Sequence, residues 1–424
     1  MNTRIQHLFK LAIKSAWNRR LTLGLMLISI ALSVAMLLGV ERFRNEAHEG
    51  FGHSVSGTDL IVGARTSPIQ LMLYAVFRIG EASNNIHIKA FNDISANPMV
   101  AWTIPISLGD SHHGFPVIGT TTAYFEHFHY GDGQPLVLSQ GKPFNTVFDA
   151  VIGAEVAKQL DYKLGQHITL SHGMGGSGLA EHADKPFTIV GILAPTGTPV
   201  DRSVHISLEA ITAIHLDWVG GAQLPGFSIP AKYVRKFDLK PKEITAMLVG
   251  LKSRAAVFKV QREVNNYEAE PLLGVMPGVA LEELWQVMSV IEKTLLAVSA
   301  MVVIVGLSGL IAVILAGLNE RRRELAILRS VGARPLDIFL LLNLEGLAIT
   351  LGGIVLGIVA LALLTLCLAP MLQANYGLAI KLIFISADEL QLLFLVLIVG
   401  VLASLVPGYR AYKLSLADGL TPKI

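Results

Sequence analysis

Four apolar runs, each about as long as a membrane-spanning helix, constrain this chain more than any other feature. The first run, residues 21–40, contains no charged residue, and the others are residues 294–318, 338–369 and 390–407. A helix of about 20 apolar residues crosses the hydrocarbon core of a bilayer and satisfies its backbone polar groups internally. The charged fraction of 16% is also low for a soluble protein. We therefore expect a membrane protein with four α-helical spans.

A cleavable signal peptide is the competing interpretation of the first run. Signal peptides have a shorter apolar core, of about 7–15 residues, followed by a small-residue cleavage site. This run instead leads into Glu41 and Arg42, so we expect an uncleaved first span at residues 21–42. Apolar residues spaced three and four apart precede it. Residues 1–20 therefore predict an amphipathic helix at the cytoplasmic interface, the alternative being an extension of the first span.

A long stretch of ordinary polarity separates the first two spans. Strand patterns occur at residues 59–63, 100–108, 115–119, 150–153, 167–170, 187–193 and 244–251, and helical patterns at 67–79, 155–160, 208–216 and 255–265. The predicted fold is a four-helix membrane protein with an α+β domain, residues 43–281, inserted between helices 1 and 2. The expected order after it is a stalk and second span at 282–318, a cytoplasmic coupling helix at 319–337, the third span at 338–369, a periplasmic loop at 370–389, the fourth span at 390–407 and a cytoplasmic tail at 408–424.

Lysine and arginine set the expected orientation. Basic residues are concentrated in the N-terminal segment, in the loop after the second span and in the tail, whereas the loop between the third and fourth spans contains only Lys381. Because short cytoplasmic loops are enriched in these residues, both termini are expected in the cytoplasm and the α+β domain outside. Residues 41–293 contain 20 basic and 25 acidic residues, a net charge of −5, and the remainder carries +7.

Known catalytic signatures are missing from the sequence. It contains no Gly-x-Ser-x-Gly or His-Glu-x-x-His, and Gly141-Lys142 lacks the other residues of a phosphate-binding loop. The single cysteine, Cys367, excludes an intrachain disulfide. A net charge of +2 gives no reason to expect nucleic acid. We predict that the chain is not an enzyme, binds no cofactor of its own, and contacts membrane lipid.

Twelve of the thirteen histidines fall between residues 41 and 293. Two are adjacent, two would share one face if they lay on a strand, and His172 and His182 flank a glycine-rich segment. Gathered imidazoles bind zinc or copper. The alternative is that these are ordinary surface and turn residues. The metal-ligand candidates are His112, His113, His127 and His129.

The loop after the second span carries the most informative motif. Glu320 and Glu324 are one helical turn apart, and Gly332 is placed to end the helix. Such a helix can dock in a groove on a partner, although a solvated linker would have the same composition. The segment Glu320-Arg-x-x-Glu324-Leu-Ala-Ile-Leu-Arg329-Ser-Val-Gly332-Ala333 resembles the permeases of the MacB/FtsX/LolC group of ABC transporters, as do Pro407-Gly-Tyr-Arg410-Ala411 and Ala417-Asp-Gly-Leu420.

This resemblance implies a permease of the bacterial inner membrane that pairs with a second copy or a paralogous permease. A separate ABC ATPase, binding ATP and Mg²⁺, would drive it, and a periplasmic adaptor or substrate-binding protein is a further partner. The periplasmic domain would consist of two small α/β lobes with an inserted lobe. The implied role is mechanotransmission for export or extraction of an amphiphilic peptide, drug, lipid or lipoprotein. The implied ATPase-coupling residues are Glu320, Arg321, Arg323, Glu324, Leu328, Arg329 and Gly332.

Two other functions stay open at this point. One branch of the family regulates a periplasmic protein instead of moving a substrate, and the histidines allow a metal-linked transport protein. Within the third span, Gly353 and Gly357 permit close helix packing. They form either a dimer face or part of an ordinary membrane helix.

Overall fold

The structure, a computed structural model, describes residues 20–54, 56–173, 181–219, 222–223, 229–320, 325, 329–330, 332–376 and 386–413. The predicted amphipathic helix, most of the coupling loop, residues 377–385 and the tail from residue 414 lie outside this part. The chain divides into two compact units. The helical unit contains most of the four longest helices, and the α/β unit comprises Ala47–Met288 with Met371–Ala379.

Within the described residues, the helices and strands follow one another along the chain with short connections. The helices are α1 Arg20–His53, α2 Pro68–Met72, α3 Ile88–Ser95, α4 Ala123–His127, α5 Ala154–Gln159, α6 Leu208–Ile214, α7 Ala231–Val234, α8 Val257–Asn265, α9 Pro277–Glu320, α10 Pro335–Tyr376 and α11 Ala387–Lys413. The strands are β1 Leu60–Ala64, β2 Ile86–His87, β3 Val100–Ile106, β4 Asp110–His112, β5 Phe115–Thr120, β6 His129–Tyr130, β7 Gln134–Pro135, β8 Leu138–Gly141, β9 Asp149–Ile152, β10 His167–Ile168, β11 Ser171–His172, β12 Phe187–Leu193, β13 Val204–Ser207, β14 Trp218–Val219, β15 Ala222–Gln223, β16 Glu243–Ile244, β17 Ala246–Leu251 and β18 Leu272–Val275.

Among the residues that the structure describes, four helices, α1, α9, α10 and α11, are long and apolar enough to cross a membrane. The predicted number of spans is therefore confirmed. Helix α9 has 44 residues without a break, which corresponds to about 66 Å and is more than twice the thickness of a bilayer core. It contains both the predicted stalk and the predicted second span, and it begins at Pro277 rather than at residue 282. Hydropathy marks the membrane-embedded part of a helix, whereas the helix itself continues beyond it.

The two glycines singled out in the third span lie against α1. A Cβ atom at Gly353 would be 2.5 Å from Ile30 Cγ2, and one at Gly357 would be 2.8 Å from both the Ala31 backbone oxygen and Val34 Cβ. These distances are too short for any larger side chain unless the helices separate. The close contact made by these glycines is thus with a helix of the same chain.

We expect Gly357→Leu to lower the thermal unfolding midpoint of the detergent-solubilised chain by several degrees. A larger side chain must push against the α1 backbone, and overpacking of this kind costs about 1–3 kcal/mol. Gly24→Leu is the matched control, because a Cβ atom there meets nothing within 4 Å. Equal midpoints for the two variants would contradict the assigned contact.

A four-stranded antiparallel sheet, in the order β18-β1-β17-β3, forms one layer of the α/β unit. Leu60 of β1 pairs with Val249 of β17, and Ile61 pairs with Val275 of β18. These β1 residues are completely buried. Burial on both faces explains why this strand has a continuous apolar sequence instead of an alternating one.

The second sheet has eight strands in the order β10-β12-β9-β13-β5-β4-β11, with β8 also pairing with β12. It is mixed, since β12 is parallel to β9 and β13 is parallel to β5, whereas β13 and β9 are antiparallel. Each of the seven predicted strands overlaps an observed one, and β12 has the predicted bounds. The predicted fold class, four membrane-length helices with an α+β domain inserted after the first, is confirmed. The β4–β11 pair at the end of this sheet supports the site described next.

Candidate metal centre

Asp110 and His172 face each other across the β4–β11 pair. The register places His172 opposite Asp110 and Ser171 opposite Ser111. His172 Nδ1 lies 3.2 Å from Asp110 Oδ1. Directly opposite residues of an antiparallel pair place their side chains on one face of the sheet within contact distance. Strand pairing therefore positions the first two groups of the site.

Two further histidines approach the same carboxylate oxygen. His215 directly follows α6, and its Nε2 lies 3.6 Å from Asp110 Oδ1 and 3.3 Å from His172 Nδ1. His182 is held by a 2.8 Å hydrogen bond from its backbone N–H to Leu170 O, and its Nε2 lies 3.8 Å from Asp110 Oδ1. Asp110, His182 and His215 are the one group of three metal-type donors found in the described part of the chain.

The four side chains differ in burial. The side chains of Asp110 and His182 are 2% and 0% exposed, whereas those of His172 and His215 are 38% and 27% exposed. In the part of the chain that the structure describes, both ring nitrogens of His182 are buried without a hydrogen-bond partner, and its ring centroid lies 4.4 Å from that of Trp218. A buried polar group left unsatisfied costs about 1–3 kcal/mol. The cluster therefore has a closed interior and an open side formed by His172 and His215.

A buried ion pair holds together the two segments that carry His182 and His215. Lys185 Nζ lies 2.8 Å and 3.0 Å from the two carboxylate oxygens of Asp217, and both side chains are completely buried. Lys185 follows His182 by three residues, and Asp217 follows His215 by two. Asp217 Oδ2 also accepts a hydrogen bond from the Ile229 N–H at 3.0 Å. This pair fixes how the histidine segments approach each other.

The Asp110 carboxylate and the burial of the cluster shift the pKa values of its members. Burial raises the pKa of Asp110, but interactions with the His172, His182 and His215 rings outweigh this effect and lower the pKa to about 2. The hydrogen bond to Asp110 raises the pKa of His172. Burial lowers the pKa of His215, although the charge of Asp110 opposes it. His215 Nδ1 donates to the Ile211 carbonyl oxygen at 2.8 Å, which leaves the lone pair of a neutral His215 ring on Nε2, facing Asp110.

Two of the predicted ligands, His112 and His113, make other contacts. His112 Nδ1 lies 2.6 Å from Thr169 O, and its Nε2 lies 2.9 Å from the Tyr162 hydroxyl. Both ring nitrogens are therefore already engaged. His113 is an exposed turn residue with a φ of 48°.

The other two predicted ligands do not share a strand. His127 is the last residue of α4 and stacks on Trp102, whereas His129 begins β6. The expectation that both rings share one face of a strand is therefore wrong, because α4 is a single short turn that spacing rules do not detect. Asp110 and His215 were missed, since they lie far from His172 and His182 in the sequence. Only the position of these two histidines beside the glycine-rich segment pointed to the site.

Most predicted ATPase-coupling residues lie at the edge of the described chain or beyond it. Arg321, Arg323, Glu324 and Leu328 are outside the described residues, and Glu320 is the last residue of α9. Gly332 has a φ of 99°, and its N–H donates to Arg329 O at 3.0 Å. This left-handed conformation is typical of a glycine that ends a helix. Helix α10 begins three residues later.

Two protein-family models together match most of the chain. The family model described as MacB-like periplasmic core domain matches residues 21–267, and the one described as FtsX-like permease C-terminal matches residues 296–416. One similar solved structure is the periplasmic region of MacB from Actinobacillus actinomycetemcomitans, at 12% identity and a TM-score of 0.33, covering 57% of this chain and 97% of that one. Another is the extracellular domain of the noncanonic ABC-type transporter YknZ from Gram-positive bacteria, at 12% identity and a TM-score of 0.29, covering 51% of this chain and 99% of that one. No curated protein sequence matches.

Proposed function

This chain belongs to the MacB/FtsX-like family of ABC transporter permeases, and from that premise we propose that it is a mechanotransmission subunit. It couples ATP hydrolysis on a separate ATPase chain to a conformational change in its α/β unit. The α/β unit faces the periplasm and acts in the export or extraction of an amphiphilic substrate. The chain itself carries out no catalysis.

The continuity of α9 is the observation that carries this proposal. The helix begins at Pro277, two residues after the end of β18, and reaches Glu320, where the family's coupling motif begins. This continuous helix joins the last strand of the α/β unit to the start of the coupling motif along the chain. Movement at the coupling motif is transmitted along this helix.

The proposed complex contains a second permease subunit, either another copy of this chain or a paralogue. Helix α9 presents the large apolar side chains of Val287, Val290 and Ile291 to solvent, just before its charge-free run. Exposed apolar side chains at this spacing form one stripe along the helix. We propose that the equivalent stripe of the second subunit packs on it.

Charge reversal in the coupling motif tests the proposal. We expect Glu320→Lys with Glu324→Lys to abolish stimulation of the ATPase that co-purifies with this chain from mild detergent. Charge-assisted contacts between a helix and its groove contribute about 1.5–3 kcal/mol each, so losing two of them should reduce coupling at least tenfold. ATPase activity and the mass of the reconstituted complex are measured together, and the mass also reports whether a second permease copy is present.

Glu282→Lys with Glu283→Lys is the matched control, because these acidic residues are exposed on the same helix near its other end. The control should retain ATPase stimulation and complex mass. If the Glu320/Glu324 variant behaves like the control, the proposed coupling role is wrong.

A further inference from the structure

We propose that Asp110, His172, His182 and His215 bind a single Zn²⁺ ion in the α/β unit. The proposal rests on the geometry of four described side chains and is independent of the coupling role assigned above. Three imidazoles and one carboxylate would complete a four-coordinate site built by β4, β11, the segment after residue 181 and the end of α6.

The distances between the donor atoms suit a tetrahedral ion. With zinc–ligand bonds of about 2.0–2.1 Å, neighbouring ligand atoms of a tetrahedron lie about 3.3–3.4 Å apart. His172 Nδ1 lies 3.2 Å from Asp110 Oδ1 and 3.3 Å from His215 Nε2. Asp110 Oδ1 lies 3.6 Å from His215 Nε2 and 3.8 Å from His182 Nε2. The donor atoms of Asp110, His182 and His215 all lie within 4.8 Å of one another, and a bound ion would draw these atoms and His172 Nδ1 closer together.

The donor set selects the class of ion. Imidazole nitrogen is a preferred ligand of Zn²⁺, and three histidines with one carboxylate match its four-coordinate preference. Ca²⁺ and Mg²⁺ require six or more ligands, nearly all oxygen. Four protein ligands leave no open position for a substrate or an activated water. The site therefore fits an ion that cross-links the domain, and it does not fit a catalytic metal.

The environment of His182 is the second, independent indication of a ligand. This ring is completely buried, and neither of its nitrogens has a hydrogen-bond partner among the described residues. Its Nε2 faces the Asp110 carboxylate at a distance longer than a hydrogen bond. An ion between these two groups would satisfy Nε2 and keep the buried carboxylate compensated.

Two further features support occupancy. The rings of His172 and His215 are partly exposed, so the cluster borders solvent on the side of these two ligands. His215 is oriented by the bond between its Nδ1 and Ile211 O, which is how metal-binding histidines are commonly fixed. Occupancy would tie β11, α6 and the segment after residue 181 together.

The test uses the full chain, purified in detergent through a tag that contains no histidine. The protein is stripped with EDTA, incubated with ZnCl₂, desalted and analysed for zinc per chain. We expect one zinc ion per chain and a thermal midpoint several degrees above that of the stripped protein, because a ligand that binds only the folded state stabilises it. The Co²⁺-substituted protein should show the intense visible absorption of a tetrahedral site, and MgCl₂ should have no effect.

The critical variant is His172→Ala with His215→Ala, because these two ligands are the exposed ones and their removal creates the smallest packing defect. Loss of an outer-shell partner alone weakens metal binding by about 10–100-fold, so loss of two direct ligands should weaken zinc binding by more than this and remove the zinc-dependent shift in midpoint. His113→Ala with His167→Ala is the matched control, since both histidines are exposed in the same unit and outside the cluster. Absence of zinc from the unsubstituted chain, or equal binding by both double variants, would overturn the proposal.

Discussion

Replacing Lys185 with methionine is expected to lower the unfolding midpoint of the α/β unit by about 10 °C. Methionine fills a similar volume but leaves the Asp217 carboxylate buried, with the Ile229 N–H as a remaining hydrogen-bond donor. Removing one partner of a buried ion pair costs about 3–5 kcal/mol, because the other charge stays uncompensated. In a domain of this size, each kcal/mol corresponds to about 2–4 °C.

Thermal unfolding of the full chain in detergent, followed by tryptophan fluorescence, measures this effect. Lys163→Met is the control, because Lys163 is an exposed lysine of the same unit. Lys185→Met with Asp217→Leu should recover most of the loss, since an apolar pair often replaces a buried ion pair without penalty. If Lys185→Met unfolds at the same temperature as the control, the ion pair does not stabilise the unit.

The same variant is expected to weaken zinc binding. Lys185 and Asp217 hold the segments of His182 and His215, so their separation would displace two of the four proposed ligands. The double variant should regain zinc together with stability.

Burial raises the pKa of Asp217, but hydrogen bonds from Lys185 and Ile229 outweigh this effect and lower the pKa. The stabilisation is therefore fully present above about pH 4 and is lost as the pH falls through the lowered pKa.

The membrane helices were predictable because one physical requirement dominates them. A span needs about 20 apolar residues, and the run at 21–40 meets this requirement without reference to any other part of the chain. The start of α9 at Pro277 was not predictable in this way. The residues between Pro277 and Lys293 are polar enough for water, so they carry no membrane signal although the helix is continuous through them.

Most of the candidate metal site could not be predicted from the sequence. Asp110 and His172 meet only because β4 and β11 pair in one register, and a shift of one residue would turn these side chains to opposite faces. Such pairing depends on the whole sheet. Spacing instead favoured His127 and His129, which are neighbours in sequence but belong to different elements. Local patterns identify ligands only when the site itself is local.

Arg42→Met is expected to destabilise the helical unit strongly. Arg42 of α1 binds Glu389 of α11 through two hydrogen bonds, Nε to Oε1 at 3.0 Å and Nη2 to Oε2 at 3.2 Å. The Glu389 side chain is 3% exposed, and that of Arg42 is 14% exposed. Arg42→Met leaves a buried carboxylate without a counter-charge, which costs about 3–5 kcal/mol.

Glu389 also caps the start of α11, and a matched pair of substitutions separates this role from the ion pair with Arg42. Its backbone N–H donates to Ser386 Oγ at 3.1 Å, and its carboxylate accepts from the Ser386 N–H at 3.2 Å. This reciprocal arrangement is a capping box at the start of α11. Glu389→Gln keeps an acceptor for the cap but removes the charge, whereas Glu389→Ala removes both and should cost about 1 kcal/mol more.

Substituting Glu389 and substituting Arg42 should lower the unfolding midpoint by different amounts. After Glu389→Gln, the long and more exposed Arg42 side chain can turn toward water, so this variant should unfold at a higher temperature than Arg42→Met. Combining Arg42→Met with Glu389→Gln should recover part of the loss of Arg42→Met alone. Arg410→Ala, at an exposed arginine near the other end of α11, serves as the control in thermal unfolding of the detergent-solubilised chain. If Arg42→Met and Arg410→Ala have equal unfolding midpoints, the Arg42–Glu389 ion pair does not join α1 to α11. A Glu389 carboxylate buried without a counter-charge would have lowered the midpoint of Arg42→Met.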